Sequence, residues 1–215
     1  MRVLIAVPAM ESVATEFYQS CLSLKHDGSP VWAVTRSSLI YDARNALAKK
    51  AVEEGYDRVL WLDSDMVFQP DLLERLSADM DEGRDYVCGL YFKRKIPYVP
   101  VIYKEMSVSQ NESGMLTPRA ITFDDYPKNE VFEVVGSGFG AVMTSVDLLR
   151  RAHESFGQPF TPVVGFGEDL SFCLRVQKLG VKMFCDSRIK VGHIGSVLIT
   201  EGSVDGQSIK ESPSD

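Results

Sequence analysis

Val59-Leu60-Trp61-Leu62-Asp63-Ser64-Asp65-Met66-Val67-Phe68 is the stretch on which the reading of this chain turns. Four apolar residues run together and then stop at acid. A strand that is apolar at every position is buried on both faces, as in a parallel sheet covered by helices, so its exit into carboxylates marks the edge where such sheets hold ligands. Two carboxylates two residues apart project to the same side if the backbone stays extended. Hard oxygen donors at such a tip suit Mg²⁺ or Mn²⁺, which keep positions open for substrate phosphates. An Asx turn that ends the strand is the plainer alternative.

Working outward, strand-sized apolar runs alternate with helix-period segments, the mark of βαβ units on a largely parallel sheet. Residues 2–9 read as a first strand. Residues 11–25 carry Val13, Phe17, Cys21 and Leu24 on one helical face. A second strand over 31–35 and a helix from Tyr41 that closes at Gly55 lead into the strand 58–62. Pro70 opens a helix with Leu72, Leu73 and Leu76 inward, and 86–90 forms a fourth strand. Further on, 98–103 and 131–135 read as extended, and 105–129 as a hairpin or mobile loop. A strand over 139–144 runs into a helix over 146–155, a helix covers 169–179, and 181–185 reads as the last strand. The expectation is one α/β domain over 1–199 and a flexible tail over 200–215, where Ser, Gly and acid dominate.

Composition narrows the function. The 215 residues are 45% apolar and 25% charged, and a chain of this length buries roughly 70% of its unfolded surface. Net charge is -7 and the pI near 5.1, so no global positive field gathers phosphate backbones and nucleic-acid binding is not expected. The longest apolar runs fall far short of the roughly 20 residues a spanning helix needs, so no membrane span is expected. Met1-Arg2 leads straight into Val3-Leu4-Ile5-Ala6-Val7, read as a buried strand rather than a secretory leader. Cys21, Cys88, Cys173 and Cys185 lack C-x-x-C spacing and read as reduced core residues of a cytoplasmic protein.

A strand, an acidic pair and then Phe68-Gln69-Pro70-Asp71-Leu72-Leu73 opening a helix together resemble the GT-A glycosyltransferases. Four further segments are similar in order and spacing: Asp42-Ala43-Arg44-Asn45-Ala46-Leu47-Ala48, Gly136-Ser137-Gly138-Phe139-Gly140-Ala141, Gly167-Glu168-Asp169-Leu170-Ser171-Phe172, and Val191-Gly192-His193. The resemblance spans residues 2–195. It implies a GT-A type domain that transfers a sugar from a UDP- or GDP-type donor to a hydroxyl acceptor of unknown identity, using Mn²⁺ or Mg²⁺. Asp65 would contact the metal directly, Asp63 would reach it through water or hold the ribose, and His193 would complete the set. Asp169 would be the general base of an inverting transfer, with Glu168 binding hydroxyls. Pro8, Ala9 and Glu11 would sit on the nucleotide side, Arg36 and Arg44 would meet ribose or diphosphate, and Gly136, Ser137 and Gly138 would lie beneath the sugar. The Q-x-x-R-W-type segment of the large processive synthases is not found, which points to a compact single-transfer enzyme, or to a catalytic domain whose partner protein holds the acceptor.

Each assignment has a structural counterpart. Glu168-Asp169 sits at a predicted helix start, where carboxylates are favoured anyway. The helix dipole weakens Asp169 as a base unless burial or a neighbouring acid offsets it. Arg44 could make a helix-surface salt bridge, the alternate glycines a tight bend, His193 an ordinary surface residue, and Lys93-Arg94-Lys95 a solvated loop or a closure over phosphates. Leu62-Asp63-Ser64-Asp65-Met66-Val67 also resembles the D-x-D loop of haloacid-dehalogenase-type phosphatases, where the first acid is a nucleophile. A module that binds nucleotide sugars without turnover is the non-enzymatic alternative.

Overall fold

The computed structural model describes residues 1–9, 12–26, 30–111, 113–163 and 165–195. Glu11 and the segment 196–215, which includes the expected tail, lie outside the described residues. In chain order the elements are β1 (Val3–Ala9), α1 (Thr15–Ser23), β2 (Val31–Arg36), α2 (Ile40–Glu53), β3 (Arg58–Leu62), β4 (Met66–Val67), α3 (Leu72–Asp81), β5 (Tyr86–Leu90), β6 (Ile102–Gln110), β7 (Leu116–Thr122), β8 (Val131–Val134), β9 (Gly136–Ser137), β10 (Ala141–Ser145), α4 (Val146–Phe156), α5 (Glu168–Lys178), β11 (Met183–Lys190) and β12 (Gly192–His193).

The central sheet has the order β2-β1-β3-β10-β5-β11-β8. Strands β2, β1, β3, β5 and β11 run one way, and β10 and β8 run against them. Alternation explains the all-apolar strands. Val59 and Trp61 of β3 enter the core beneath α2, α4 and α5, whereas Leu60 and Leu62 enter the core beneath α1 and α3. The first of these cores is aromatic at its centre. Phe160 and Phe172 stack with centroids 4.7 Å apart, and Phe139 meets both edge-on.

Several expected boundaries move for physical reasons. Helix α1 starts at Thr15 rather than near residue 11, because Ala14 is extended and donates its N–H to the Ser64 carbonyl at 3.0 Å. The segment 105–129 is a true hairpin. Strands β6 and β7 pair from Tyr103↔Thr122 to Gln110↔Leu116, and β9 joins the other edge of β6. The strand expected over 181–185 is longer, from Met183 to Lys190, and it is not the last: β12 follows it and pairs with β4.

Truncating Phe172→Ala removes a ring stacked at the centre of the aromatic core and should cost about 3–5 kcal/mol. Urea unfolding is expected to show a lower midpoint with an unchanged slope.

Candidate active site

Strands β1, β2 and β3 reach the same edge side by side, with Ala9 opposite Arg36 and Ala6 opposite Trp61. Just beyond β3 the chain turns rather than staying extended: Met66 N–H donates to the Asp63 carbonyl at 3.2 Å. Three other segments hold that turn by its backbone. Asp63 N–H bonds to Gly140 O, Ser64 O accepts from Ala14, and Asp65 O accepts from Ile194. The two aspartates consequently face different partners, which corrects the expectation that both project together.

Asp65 meets His193. The Asp65 Oδ2 lies 3.5 Å from His193 Nε2, brought there by the β4–β12 pairing, in which Met66 stands opposite His193. His193 Nδ1 is 2.9 Å from the Phe92 carbonyl, an acceptor, so Nδ1 carries a proton; the charged ring also points its Nε2–H at Asp65, and loss of that second proton frees the Nε2 lone pair on the same side. The same Oδ2 accepts a 2.8 Å bond from Arg94 Nη1. Burial alone would raise the Asp65 pKa, but His193 and Arg94 outweigh it and hold the carboxyl below its ordinary value. For His193 burial works against the charged ring, yet its bonds to Asp65 and Phe92 leave the pKa raised.

Asp63 meets Arg44 instead. Arg44 Nη2 donates to Asp63 Oδ1 at 2.7 Å and Arg44 Nε to Glu168 Oε1 at 3.1 Å, while the guanidinium lies over the Phe139 ring. The Arg44 side chain is only 2% exposed and its Nη1 is a buried donor without a partner in the structure. Burial opposes its charge, but Asp63 and Glu168 more than compensate and raise its pKa. The surface salt bridge gives way here to a buried bridge between two carboxylates. The next residue, Asn45, missed in the sequence, anchors the neighbouring loop through its Oδ1, which accepts from Phe160 N at 2.9 Å.

Asp169, in the first turn of α5, accepts at Oδ1 from the Leu170 N–H at 2.7 Å. Burial first, and then the adjacent Glu168 charge, push its carboxyl up from 3.8 to about 6. The dipole and amide effects that favour ionisation are therefore more than offset.

Gly136, Ser137 and Gly138 are buried, and what approaches the glycines closely is the chain itself. A Cβ on Gly138 would stand 2.0 Å from Tyr91 Oη, and one on Gly136 would stand 2.3 Å from Met106 Sδ. Ser137 Oγ lies 2.6 Å from Tyr86 Oη. The space beside Gly136 and Gly138 is filled by Met106 and Tyr91, and Ser137 faces the core. Tyr91, another residue no spacing pointed to, accepts from Gly140 N at 3.2 Å and meets the His193 ring edge-on at 5.4 Å. Pro8 and Ala9 stand opposite Thr35 and Arg36 at the ends of β1 and β2.

Residues 28–137 match the sequence model of glycosyl transferase family 2. The chain belongs to that family. Its fold is also that of solved structures. A197 from STIV is 21% identical with a TM-score of 0.62, covering 91% of this chain and 87% of its own. GalNAc-T7, solved with UDP, GalNAc and Mn²⁺, is 12% identical with a TM-score of 0.60, covering 94% of this chain and 44% of that one. No curated protein matches the sequence. Membership of family 2 makes this a glycosyltransferase of GT-A fold and removes the phosphatase reading, whose nucleophile would have been the Asp63 that Arg44 holds. Among the described residues no helix is long and apolar enough to cross a membrane, and the four cysteines are free.

Replacing Arg44 by Met keeps its bulk but leaves Asp63 and Glu168 facing each other without a cation. The loss expected in denaturant unfolding is about 2–4 kcal/mol. Arg44→Lys should recover only part of it, because one ammonium cannot fork to both carboxylates.

Proposed function

We propose that this family-2 chain carries out an inverting, divalent-metal-dependent transfer of a sugar from a nucleotide-diphosphate donor to an acceptor hydroxyl. The observation that carries the reading is the Asp65–His193 pair, 3.5 Å apart at the tip of the sheet. A carboxylate oxygen and, once Nε2 has released its proton, an imidazole lone pair fit Mn²⁺ or Mg²⁺ as donors, and Nδ1 already donates to the Phe92 carbonyl, as the other nitrogen of a ligating histidine commonly does. Among the described residues no group of three or more His, Cys, Asp or Glu is placed to hold a metal. Two protein ligands leave room for phosphate oxygens, as suits a substrate-bridging ion. When bound, the cation would stabilise the negative charge that builds on the departing diphosphate. The UDP and Mn²⁺ of the similarly folded GalNAc-T7 support trying UDP donors and Mn²⁺ first.

The remaining work falls to the chain's own groups. Pro8, Ala9, Arg36 and Asp63 border the edge where base and ribose would lie. Asp169 takes the proton from the acceptor hydroxyl as that oxygen bonds to the anomeric carbon. The bond from that carbon to the phosphate oxygen breaks on the opposite face, and the nucleoside diphosphate leaves. A base with a pKa of about 6 is mostly ionised at neutral pH and still basic enough to accept the proton. Glu168 acts through Arg44, keeping Asp169 and Asp63 in one frame. A separate protein that presents the acceptor remains compatible with so compact a domain.

Incubation with UDP- and GDP-sugars and Mn²⁺ should release nucleoside diphosphate, and chelation or Asp65→Ala should abolish the release. Binding without release would leave a module that holds nucleotide sugars without turnover. Asp169→Asn should keep nucleotide binding and lower the transfer rate by about 10²–10⁴-fold. Because the base works ionised, kcat/KM of the wild type should climb with pH through about 6 and then level off. The residual rate of Asp169→Asn should lack that rise.

A further inference from the structure

Arg94 has no part in the transfer described above, yet it occupies the atom on which that transfer depends. Its Nη1 sits 2.8 Å from Asp65 Oδ2, the same oxygen that faces His193 Nε2 at 3.5 Å. The Arg94 side chain is 51% exposed and Asp65 29%, so charge rather than packing keeps the pair together. Arg94 is carried by the segment between β5 and β6, whose base is a short ladder. Lys93 N–H bonds to Val99 O, Val101 N–H bonds to Tyr91 O, and Phe92 bridges to Pro100. That ladder fixes where the segment stands while the long side chain of Arg94 stays free to re-aim. Phe92 of the same ladder gives its carbonyl to His193, so Arg94 and the imidazole are set against one carboxylate by a single piece of backbone.

A guanidinium and a divalent cation cannot both occupy one carboxylate oxygen, because like charges at contact distance repel strongly where water is partly excluded. Once a cation binds Asp65 Oδ2 on the side of His193, Arg94 must give up that oxygen. The anions the donor would then offer it are its diphosphate oxygens. A planar guanidinium forks onto phosphate oxygens through charge-assisted bonds. Lys93 and Lys95 flank it and make this the one tight run of cations in a chain of net charge -7.

We propose that Arg94 is a donor-binding residue held in reserve. It neutralises Asp65 in the empty site, and it transfers to the diphosphate when cation and donor arrive, adding a second positive charge beside the leaving group. The inference rests on the metal-dependent reading above and specifies one residue of that same site.

Removing Arg94 then has effects of opposite sign on two ligands. Mn²⁺ binding without nucleotide is followed by electron paramagnetic resonance. UDP and GDP binding at saturating Mn²⁺ is followed by calorimetry, with uridine and guanosine as phosphate-free controls. Arg94→Ala is expected to bind Mn²⁺ alone more tightly, by roughly threefold or more, because its competitor for Asp65 is gone. The same variant is expected to bind the better nucleoside diphosphate roughly tenfold more weakly, with nucleoside binding unchanged. Arg94→Lys should fall between wild type and Arg94→Ala on both measures. An Arg94→Ala protein that weakens both ligands together, or that matches wild type for the diphosphate, overturns the inference. A wild type that binds neither Mn²⁺ nor any nucleotide overturns the metal-dependent reading itself, and this inference with it.

Discussion

The buried guanidinium of Arg44 is the contact on which the geometry of the site depends. It joins Asp63, 19 residues away at the tip of β3, to Glu168, 124 residues away at the start of α5. Burying a cation is unfavourable unless carboxylates meet it, and burying carboxylates is unfavourable unless a cation meets them, so each partner restricts the other two to nearly one arrangement. Phe139 beneath the guanidinium closes the bridge on its apolar side. The strand tip, the helix that carries Arg44 and the helix that carries Asp169 are thereby fixed relative to one another.

Around that bridge the two aspartates divide their tasks. Asp63 is tied to the scaffold and Asp65 is turned toward His193, a separation made possible by the turn between them. Its backbone is held by segments from three parts of the chain, Ala14, Gly140 and Ile194. Tyr91 supports the arrangement from below: it fills the space that the missing side chains of Gly138 and Gly140 leave, and its edge meets the His193 ring. The small residues of that segment thus serve close packing under the site.

Much of the fold was legible because burial imposes periodicity. Strand β3 runs from Arg58 to Leu62 and β5 from Tyr86 to Leu90, the limits that their apolar runs suggest. Helices α2 and α4 start and stop within about two residues of where the apolar face and Gly55 place them. The hairpin of β6 and β7 was less distinct, since most of its residues are exposed or half-buried and carry no strict alternation. Strand β12 has two residues, too few to give any period. In the site, Asp63 and Asp65 stood out by type and spacing at the end of an apolar strand, whereas Glu168, Asp169 and His193 were drawn in only by the family resemblance. Tyr91 and Asn45 did not stand out, because an aromatic after a buried strand and an amide on a helix are compatible with many surroundings.

The order of strands and helices, the apolar faces that bury them, and the appearance of acid where β3 surfaces were all determined by sequence, because each is a local consequence of which side chains avoid water. Tertiary structure alone decided the partners of those acids. Whether Asp63 or Asp65 would face His193, whether Arg44 would reach outward or inward, and whether Asp169 would lose or gain acidity depend on distances between residues far apart in the chain. Electrostatic energies and desolvation vary steeply with such distances and with depth, and neither is written in any single stretch of residues.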